Sequence, residues 1–173
     1  MARNVGTQGH GDGFCGIYSM AHSLTDWPKL QSFEIPLREA FRRLVLAADR
    51  LDLFDVYHAI DGFEDFELAQ IFNQMATSYR LSRIAIPLEL VSQRVGRVSN
   101  ITVVREVISS GGSVVVSVEN GGHWVLANKN LPDGSVAVID SWPNSNRETL
   151  AKISTVEDGV ALLPRNSDLA KLS

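Results

Sequence analysis

Apolar residues recur every three or four positions through much of the first hundred residues, which is the spacing of amphipathic helices. The first predicted helix follows a glycine-rich stretch and buries one face, formed by Ile17, Met20, Ala21 and Leu24. A second helix is predicted to open at Pro36-Leu37, and residues 51–60 are predicted to add another helical turn or two. Asp61-Gly62 should break this pattern, because glycine is a weak helix former.

Two further helices are marked by polar residues of the kind that cap helix N-termini. Asp65 is the predicted N-cap of a third helix, and Asn100 is the predicted N-cap of a fourth. Gly111-Gly112 is expected to close the fourth helix, because glycine is common just after helix C-termini. Between these helices, residues 81–86 alternate in polarity and end at Pro87, which predicts a strand.

From residue 113 onwards the pattern changes to short β-rich runs. Strands are predicted over residues 113–118, 123–127, 136–139 and 159–163, and Pro132-Asp133-Gly134 supplies a hairpin turn. Helices followed by an antiparallel sheet predict an α+β fold, in one domain that spans residues 1–173. The helical part covers about residues 1–110, and the sheet part covers about residues 111–165.

Composition narrows the classes of function. The chain has 173 residues, 45% of them hydrophobic, which is enough to bury one sizeable core. Its net charge of −4 argues against a nucleic-acid partner, because phosphate contacts need clustered Lys and Arg. No apolar run is long enough to span a bilayer, and the N-terminus lacks a hydrophobic signal region. We expect no membrane partner and a cytoplasmic protein, or one exported without a cleaved signal peptide; the oligomeric state stays open.

The single cysteine is the first candidate for chemistry. One cysteine cannot form an internal disulfide or a Cys-rich zinc site. The four histidines, His10, His22, His58 and His123, show no short paired spacing, so neither a metal nor another cofactor is expected. Cys15 stands where the glycine-rich loop gives way to the first helix, and a helix N-terminus favours an anion such as a thiolate. The alternative is a buried structural cysteine.

A second candidate group lies in the sheet half. His123 begins one predicted strand and Asp140 ends the next, so a hairpin between them makes the two residues neighbours at its open end. A carboxylate beside a histidine fixes its tautomer, and an imidazolium facing a thiol favours the thiolate. Cys15, His123 and Asp140 are therefore predicted to be nucleophile, base and orienting group. Taken singly, His123 could instead be satisfied locally, and Asp140 could be a turn former.

These motifs resemble those of the papain-like cysteine peptidases, and most closely the compact C39-like bacterial branch. The likeness covers most of the chain and depends on three motifs: Gln8 with Cys15-Gly16, the run Gly122-His123-Trp124-Val125, and Asp140-Ser141-Trp142. Residues 65–86 also resemble the helix-then-strand insert of the C39-like branch. Two features depart from the family pattern. Gln8 precedes Cys15 by one position more than usual, and a serine rather than the usual proline follows Asp140.

The resemblance implies a papain-like fold in which the N-terminal helical half carries the nucleophile and packs on a C-terminal sheet. It implies a thiol hydrolase that attacks a peptide, isopeptide or side-chain amide of a peptide or protein substrate through a thioester. Gln8 and the Cys15 backbone N–H would form the oxyanion hole. Residues around these groups are candidates for the substrate cleft: His10, Asp12, Gly13, Glu119, Gly122 and Trp142.

Two other functions fit the same residues. A glutamine deamidase or transglutaminase effector would use the same acyl-enzyme chemistry, and release of ammonia without chain cleavage would distinguish it from a peptidase. A papain-like fold retained as a binding or immunity module would need no turnover. The sequence does not identify the substrate, because specificity depends on cleft shape and loops rather than on the triad.

Overall fold

The computed structural model describes residues 13–25, 35–55, 58, 61–96, 99–118, 123–140 and 150–171. The described residues include five helices: α1 (Cys15–Thr25), α2 (Leu37–Arg50), α3 (Asp65–Ser78), α4 (Leu88–Arg94) and α5 (Asn100–Ser109). They also include six strands: β1 (Arg83–Pro87), β2 (Ser113–Val118), β3 (His123–Asn130), β4 (Val136–Ile139), β5 (Lys152–Ile153) and β6 (Gly159–Pro164). The protein is therefore a mixed helix-and-sheet structure, as the α+β prediction requires.

The six strands form one antiparallel sheet in the order β1-β6-β2-β3-β4-β5. The hairpin predicted around Pro132-Asp133-Gly134 joins β3 to β4, with Gly134 at φ +88°. β1 pairs with β6 and forms one edge of the sheet, although it comes from the part of the chain predicted to be helical. The division into a helical part before residue 110 and a sheet part after it is therefore not strict.

Helices cover both faces of this sheet. Alternate residues of a strand point to opposite faces, and the side chains separate into two apolar clusters accordingly. Val115 and Leu126 belong to the cluster that contains α1, α2 and α3. Their neighbours Val116 and Val125 belong to the cluster that contains α4 and α5. The helical half thus does not pack as one block, because α5 lies across the sheet from α1.

The predicted helices form, but two of their caps lie one residue earlier than expected. Glu64, not Asp65, is the N-cap of α3, and its N–H donates to the Glu67 carboxylate. Ser99, not Asn100, is the N-cap of α5. The amide of Asn100 instead donates to the carbonyl of Glu157, 2.7 Å away, so a long-range contact takes this side chain away from the capping position.

The helical extension predicted over residues 51–60 is wrong for its first five residues. α2 ends at Arg50, and Asp52 adopts a left-handed conformation with φ +58°, which an α-helix cannot contain. Residues 56, 57, 59 and 60 lie outside the described part of the chain. The short elements α4 and β5 were not predicted, because seven and two residues are too few to show a clear periodicity.

Candidate active site

Cys15 is the first residue of α1, as predicted, and carries a thiol rather than a disulfide. The first hydrogen bond of this helix runs from the Tyr18 N–H to the Phe14 carbonyl, so the Cys15 N–H belongs to the first turn, which helices leave open to other acceptors. The residue is only 7% exposed and belongs to the apolar cluster under the helix. The nucleophile candidate therefore lies at a helix N-terminus but faces the protein interior.

Gly13 and Gly16 bring the backbone around Cys15 close to its neighbours. A Cβ atom on Gly13 would lie 2.4 Å from the His58 carbonyl oxygen and 2.5 Å from the Gly62 nitrogen. A Cβ atom on Gly16 would lie 2.8 Å from two side-chain carbons of Leu68 in α3. All of these distances are shorter than a normal contact. The start of α1 can therefore approach these segments only because glycine has no side chain.

His123 and Asp140 form a buried pair at the start of β3 and the end of β4. The His123 Nε2 atom lies 2.7 Å from Asp140 Oδ1, and the two side chains are 1% and 0% exposed. The other carboxylate oxygen of Asp140 accepts a hydrogen bond from the Leu150 backbone N–H at 3.0 Å. Both oxygens of the carboxylate are therefore engaged, which fixes its orientation toward the imidazole. The predicted proximity of these two residues is confirmed.

A β-bulge makes this pairing possible. Leu126 pairs with Ile139 and Ala127 with Val138, but beyond the irregularity Lys129 pairs with Ala137. Extending the first register sets Asp140 opposite Val125, as a diagonal neighbour of His123 on the same face. Without the extra residue, Asp140 would align with Leu126 and point to the opposite face, because a shift of one residue inverts the alternation. The sequence separation of His123 and Asp140 predicted their proximity but not this bulge.

α1 packs directly against the strand that begins with His123. The Ser19 hydroxyl, one helical turn after Cys15, donates to the backbone carbonyl of Trp124 at 3.1 Å, and both groups are buried. Cys15 and Trp124 also share one apolar cluster. Residues two apart in a strand point to the same face, so alternation places His123 on the face of Val125, which belongs to the cluster on the side of the sheet opposite α1.

Most other predicted site residues fall outside the described ranges. These are the oxyanion candidate Gln8 and the cleft candidates His10, Asp12, Glu119, Gly122 and Trp142. The remaining cleft candidate, Gly13, is described and buried beneath the segment that contains His58 and Gly62. Its observed role is close packing, and a role in binding substrate stays a prediction.

Comparison of the chain with protein-family models, with curated proteins and with solved structures finds no match. Across the described residues, no helix is both long and apolar enough to cross a membrane. The same residues contain no group of three or more His, Cys, Asp and Glu side chains that could hold a metal ion.

Sequence reasoning missed a charged cluster beside the Cys15 segment. The His58 Nδ1 atom lies 2.8 Å from Asp55 Oδ1, and the Nε2 atom lies 3.1 Å from Glu67 Oε1. The ring stacks on Phe63 with centroids 5.1 Å apart. No sequence motif marks this cluster, although an Asp three residues before a buried histidine is compatible with a local contact.

The two carboxylates decide the protonation of His58. Burial lowers the pKa of this imidazole, but hydrogen bonds to Glu67 and Asp55 and their negative charge outweigh burial, so the pKa lies above its ordinary value of 6.5. With both ring nitrogens facing carboxylates, the doubly protonated form is the one that can donate to both partners. The doubly protonated form of His58 is therefore more favoured than it is in a free imidazole.

Proposed function

We propose that the protein is a papain-like cysteine hydrolase that attacks a peptide, isopeptide or side-chain amide bond with Cys15, His123 and Asp140. The observation that carries this proposal is the fully buried His123–Asp140 pair at the start of the strand on which α1 packs. Polar side chains are rarely buried this completely without a specific need, because removing them from water costs free energy unless hydrogen bonds replace those to water. Orienting a catalytic imidazole is one such need.

In the proposed mechanism the Cys15 thiolate attacks the carbonyl carbon of the substrate and forms a tetrahedral intermediate. His123 then donates a proton to the leaving amine, the C–N bond breaks and a thioester remains. A water molecule, deprotonated by the same imidazole, attacks the thioester and releases the acid and the thiol. Because Asp140 accepts from Nε2–H, Nδ1 is the ring atom assigned to proton exchange with substrate and thiol.

Transition-state stabilisation is assigned to the first turn of α1. A developing oxyanion would accept from the Cys15 backbone N–H, with the helix macrodipole adding to the attraction. A single donor in such a site contributes about 3–4 kcal/mol to catalysis. Gln8 is retained as the second donor, on the resemblance of its position in the sequence alone.

One observation favours a different function, that of a papain-like module that binds a partner without turnover. Cys15 is 93% buried within an apolar cluster, and burial in apolar surroundings disfavours a thiolate. The alternation of β3 also assigns His123 to the face opposite α1. In a binding module the His123–Asp140 pair would only connect β3 to β4, and Cys15 would be a core residue.

The reactivity of Cys15 with iodoacetamide at pH 6, followed by intact-protein mass, separates the two functions. An ordinary thiol with a pKa of about 8.5 is only about 0.3% thiolate at this pH. We expect the wild-type protein to be labelled roughly a hundredfold faster than an ordinary thiol, and His123→Ala to lose most of that gain, since the imidazolium stabilises the thiolate. Cys15→Ala should take up no label.

His22→Asn is the matched control, because His22 is also a buried histidine and lies on α1 itself. Its labelling rate should stay close to that of the wild type. Slow labelling of wild type that titrates like an ordinary thiol, with no further loss in His123→Ala, would overturn the hydrolase and support the binding module. Trapping of an acyl-enzyme by the His123→Ala variant would in addition identify the acyl group by its mass.

A further inference from the structure

We propose that His58 is a positioning residue for Cys15: held between Asp55 and Glu67, it fixes the backbone against which Gly13 and the start of α1 rest. This inference depends on the proposed function, because it concerns the reactivity of the same thiol. It assigns a role in positioning the nucleophile to a cluster outside the proposed triad of Cys15, His123 and Asp140.

His58 connects two separate segments of the chain. Asp55 belongs to the turn after α2, and its carboxylate accepts from both the backbone N–H and the ring of His58, at 2.9 and 2.8 Å. Glu67 belongs to the first turn of α3, where it also accepts from the Glu64 N–H. The side chains of His58 and Glu67 are 11% and 13% exposed, so this part of the cluster is largely shielded from water. Charged hydrogen bonds of this kind contribute about 1.5–3 kcal/mol each.

The turn that contains His58 and Gly62 is the surface on which the residues just before Cys15 pack. The His58 carbonyl accepts from the Gly62 N–H at 3.1 Å, which closes a short turn. Gly13 packs on this turn so closely that no side chain fits between them. The ring of Phe14 lies 6.2 Å from that of Phe63, on which His58 stacks. Displacement of His58 is thus transmitted to the two residues that precede Cys15.

The titratable groups around His58 decide when its ring can bridge Asp55 and Glu67. The groups bonded to the imidazole are Asp55 and Glu67, and the other titratable residues on the segments around it are further acids: Asp52, Asp61, Glu64 and Asp65. On the side of α1 the titratable residues are Cys15, Tyr18 and His22. In this acidic environment only the protonated imidazole bridges Asp55 and Glu67 by donating to both. Loss of the proton at higher pH leaves two carboxylates facing a ring with a single donor.

The test measures the alkylation rate of Cys15 by iodoacetamide between about pH 5 and pH 9, with the free energy of unfolding in urea measured on the same samples. The variants are His58→Gln and Glu67→Gln. Asn73→Ala is the matched control, because it removes two hydrogen bonds between α3 and the backbone of Ala85 without touching the His58 turn. It therefore reports what a general loss of α3 stability does to the thiol.

We expect His58→Gln and Glu67→Gln to lower the alkylation rate at pH 6 by roughly tenfold, because a misplaced thiolate loses its stabilising neighbours and one pKa unit corresponds to a factor of ten. Wild type should show a second ionisation above pH 6.5 in its rate profile, and His58→Gln should lack it. Asn73→Ala should react like wild type. Equal rates in wild type and His58→Gln, or an equal loss in Asn73→Ala, would overturn the inference while leaving a fast, His123-dependent thiol untouched. Failure of the proposed function would appear instead as a wild-type thiol without enhanced reactivity.

Discussion

At the scale of single residues, Asp140 is the position whose contacts most restrict the choice of amino acid. One of its oxygens faces His123 Nε2 and the other accepts from the Leu150 N–H. An asparagine offers only one acceptor oxygen, so its NH₂ group would face one of these two donors. The Leu150 N–H therefore makes a carboxylate a better fit than an amide at this position.

Replacing Asp140 tests this requirement. We expect Asp140→Ala to lower the free energy of unfolding by about 2–5 kcal/mol, because the buried His123 Nε2 and the Leu150 N–H both lose their acceptor. Asp140→Asn should cost less, about 1–3 kcal/mol, since one buried donor loses its acceptor. Urea unfolding of the three proteins measures both changes. A cost below 1 kcal/mol for Asp140→Ala would show that the pair contributes little to the fold.

At position 13 the restriction is steric, because the space around Gly13 leaves no room for a side chain. In Gly13→Ala the new Cβ would lie 2.4 Å from the His58 oxygen, so the turn or the start of α1 must move. Overpacking of this kind costs about 1–3 kcal/mol, and we expect slower alkylation of Cys15 as well. Gly111→Ala is the control, because Gly111 has φ +80° but no atom within 4 Å of a new Cβ. It should lose stability through backbone strain alone and keep the thiol reactivity of wild type.

At the scale of elements, the contact of α1 with β3 decides whether the two halves of the candidate site can act together. The buried hydrogen bond from Ser19 to the Trp124 carbonyl is a direct link between them. It joins the helix that begins with Cys15 to the strand that begins with His123, one turn and one residue away from those positions. The periodicity of α1 identified its buried face, but not the strand that this face contacts.

Ser19→Ala tests this link. We expect a loss of about 1 kcal/mol in the free energy of unfolding, because the Trp124 carbonyl loses its buried donor, together with slower labelling of Cys15. Ser23→Ala is the matched control on the same helix, since the Ser23 hydroxyl donates only to the local Met20 carbonyl. Labelling in Ser23→Ala should be unchanged. An equal loss of reactivity in both variants would mean that helix stability, not the contact with β3, controls the thiol.

The β3–β4 bulge is the second feature that matters at this scale. The predicted hairpin correctly made His123 and Asp140 neighbours. A regular β3–β4 ladder without the bulge would nevertheless have placed their side chains on opposite faces of the sheet. One extra residue between Ala127 and Lys129 restores a common face. Bulges depend on the fit between two strands, so neither strand alone contains a signal for one.

At the scale of the whole molecule, charges that differ between the folded and unfolded states make stability depend on pH. In the folded state, hydrogen bonds from Arg42 and Arg43 lower the pKa of Glu39 from 4.5 to about 2, so its contribution to stability is lost progressively as the pH falls from the first value to the second. His58 acts in the opposite direction. Its raised pKa means that its contribution is complete below pH 6.5 and is lost as pH rises through the folded-state value.

The stability difference between wild type and His58→Gln isolates this effect, because the two proteins share every residue except the one that titrates at position 58. We expect wild type to exceed the variant by more at about pH 5.5 than at about pH 9, as measured by urea unfolding at constant ionic strength. A difference that stays constant across this range would show that His58 contributes through packing on Phe63 rather than through its charge.

The sequence by itself determined the elements with clear periodicity and the chemistry they carry. Apolar spacing located α1, α2, α3, α5 and five of the six strands described, because burial of one face constrains side chains at regular intervals. The hairpin turn brought His123 and Asp140 together, because two strands joined by a short turn pair with each other in an antiparallel hairpin. Gly13 and the position of Cys15 at a helix start were also visible in the chain alone.

Only the tertiary structure decided the features that depend on segments far apart in sequence. It assigned β1 to the sheet edge beside β6, divided the helices between two faces, and inserted the bulge that aligns Asp140 with His123. It also joined Asp55, His58 and Glu67 beneath the start of α1. These contacts follow from the packing of whole elements against one another, and local periodicity contains no information about which elements meet.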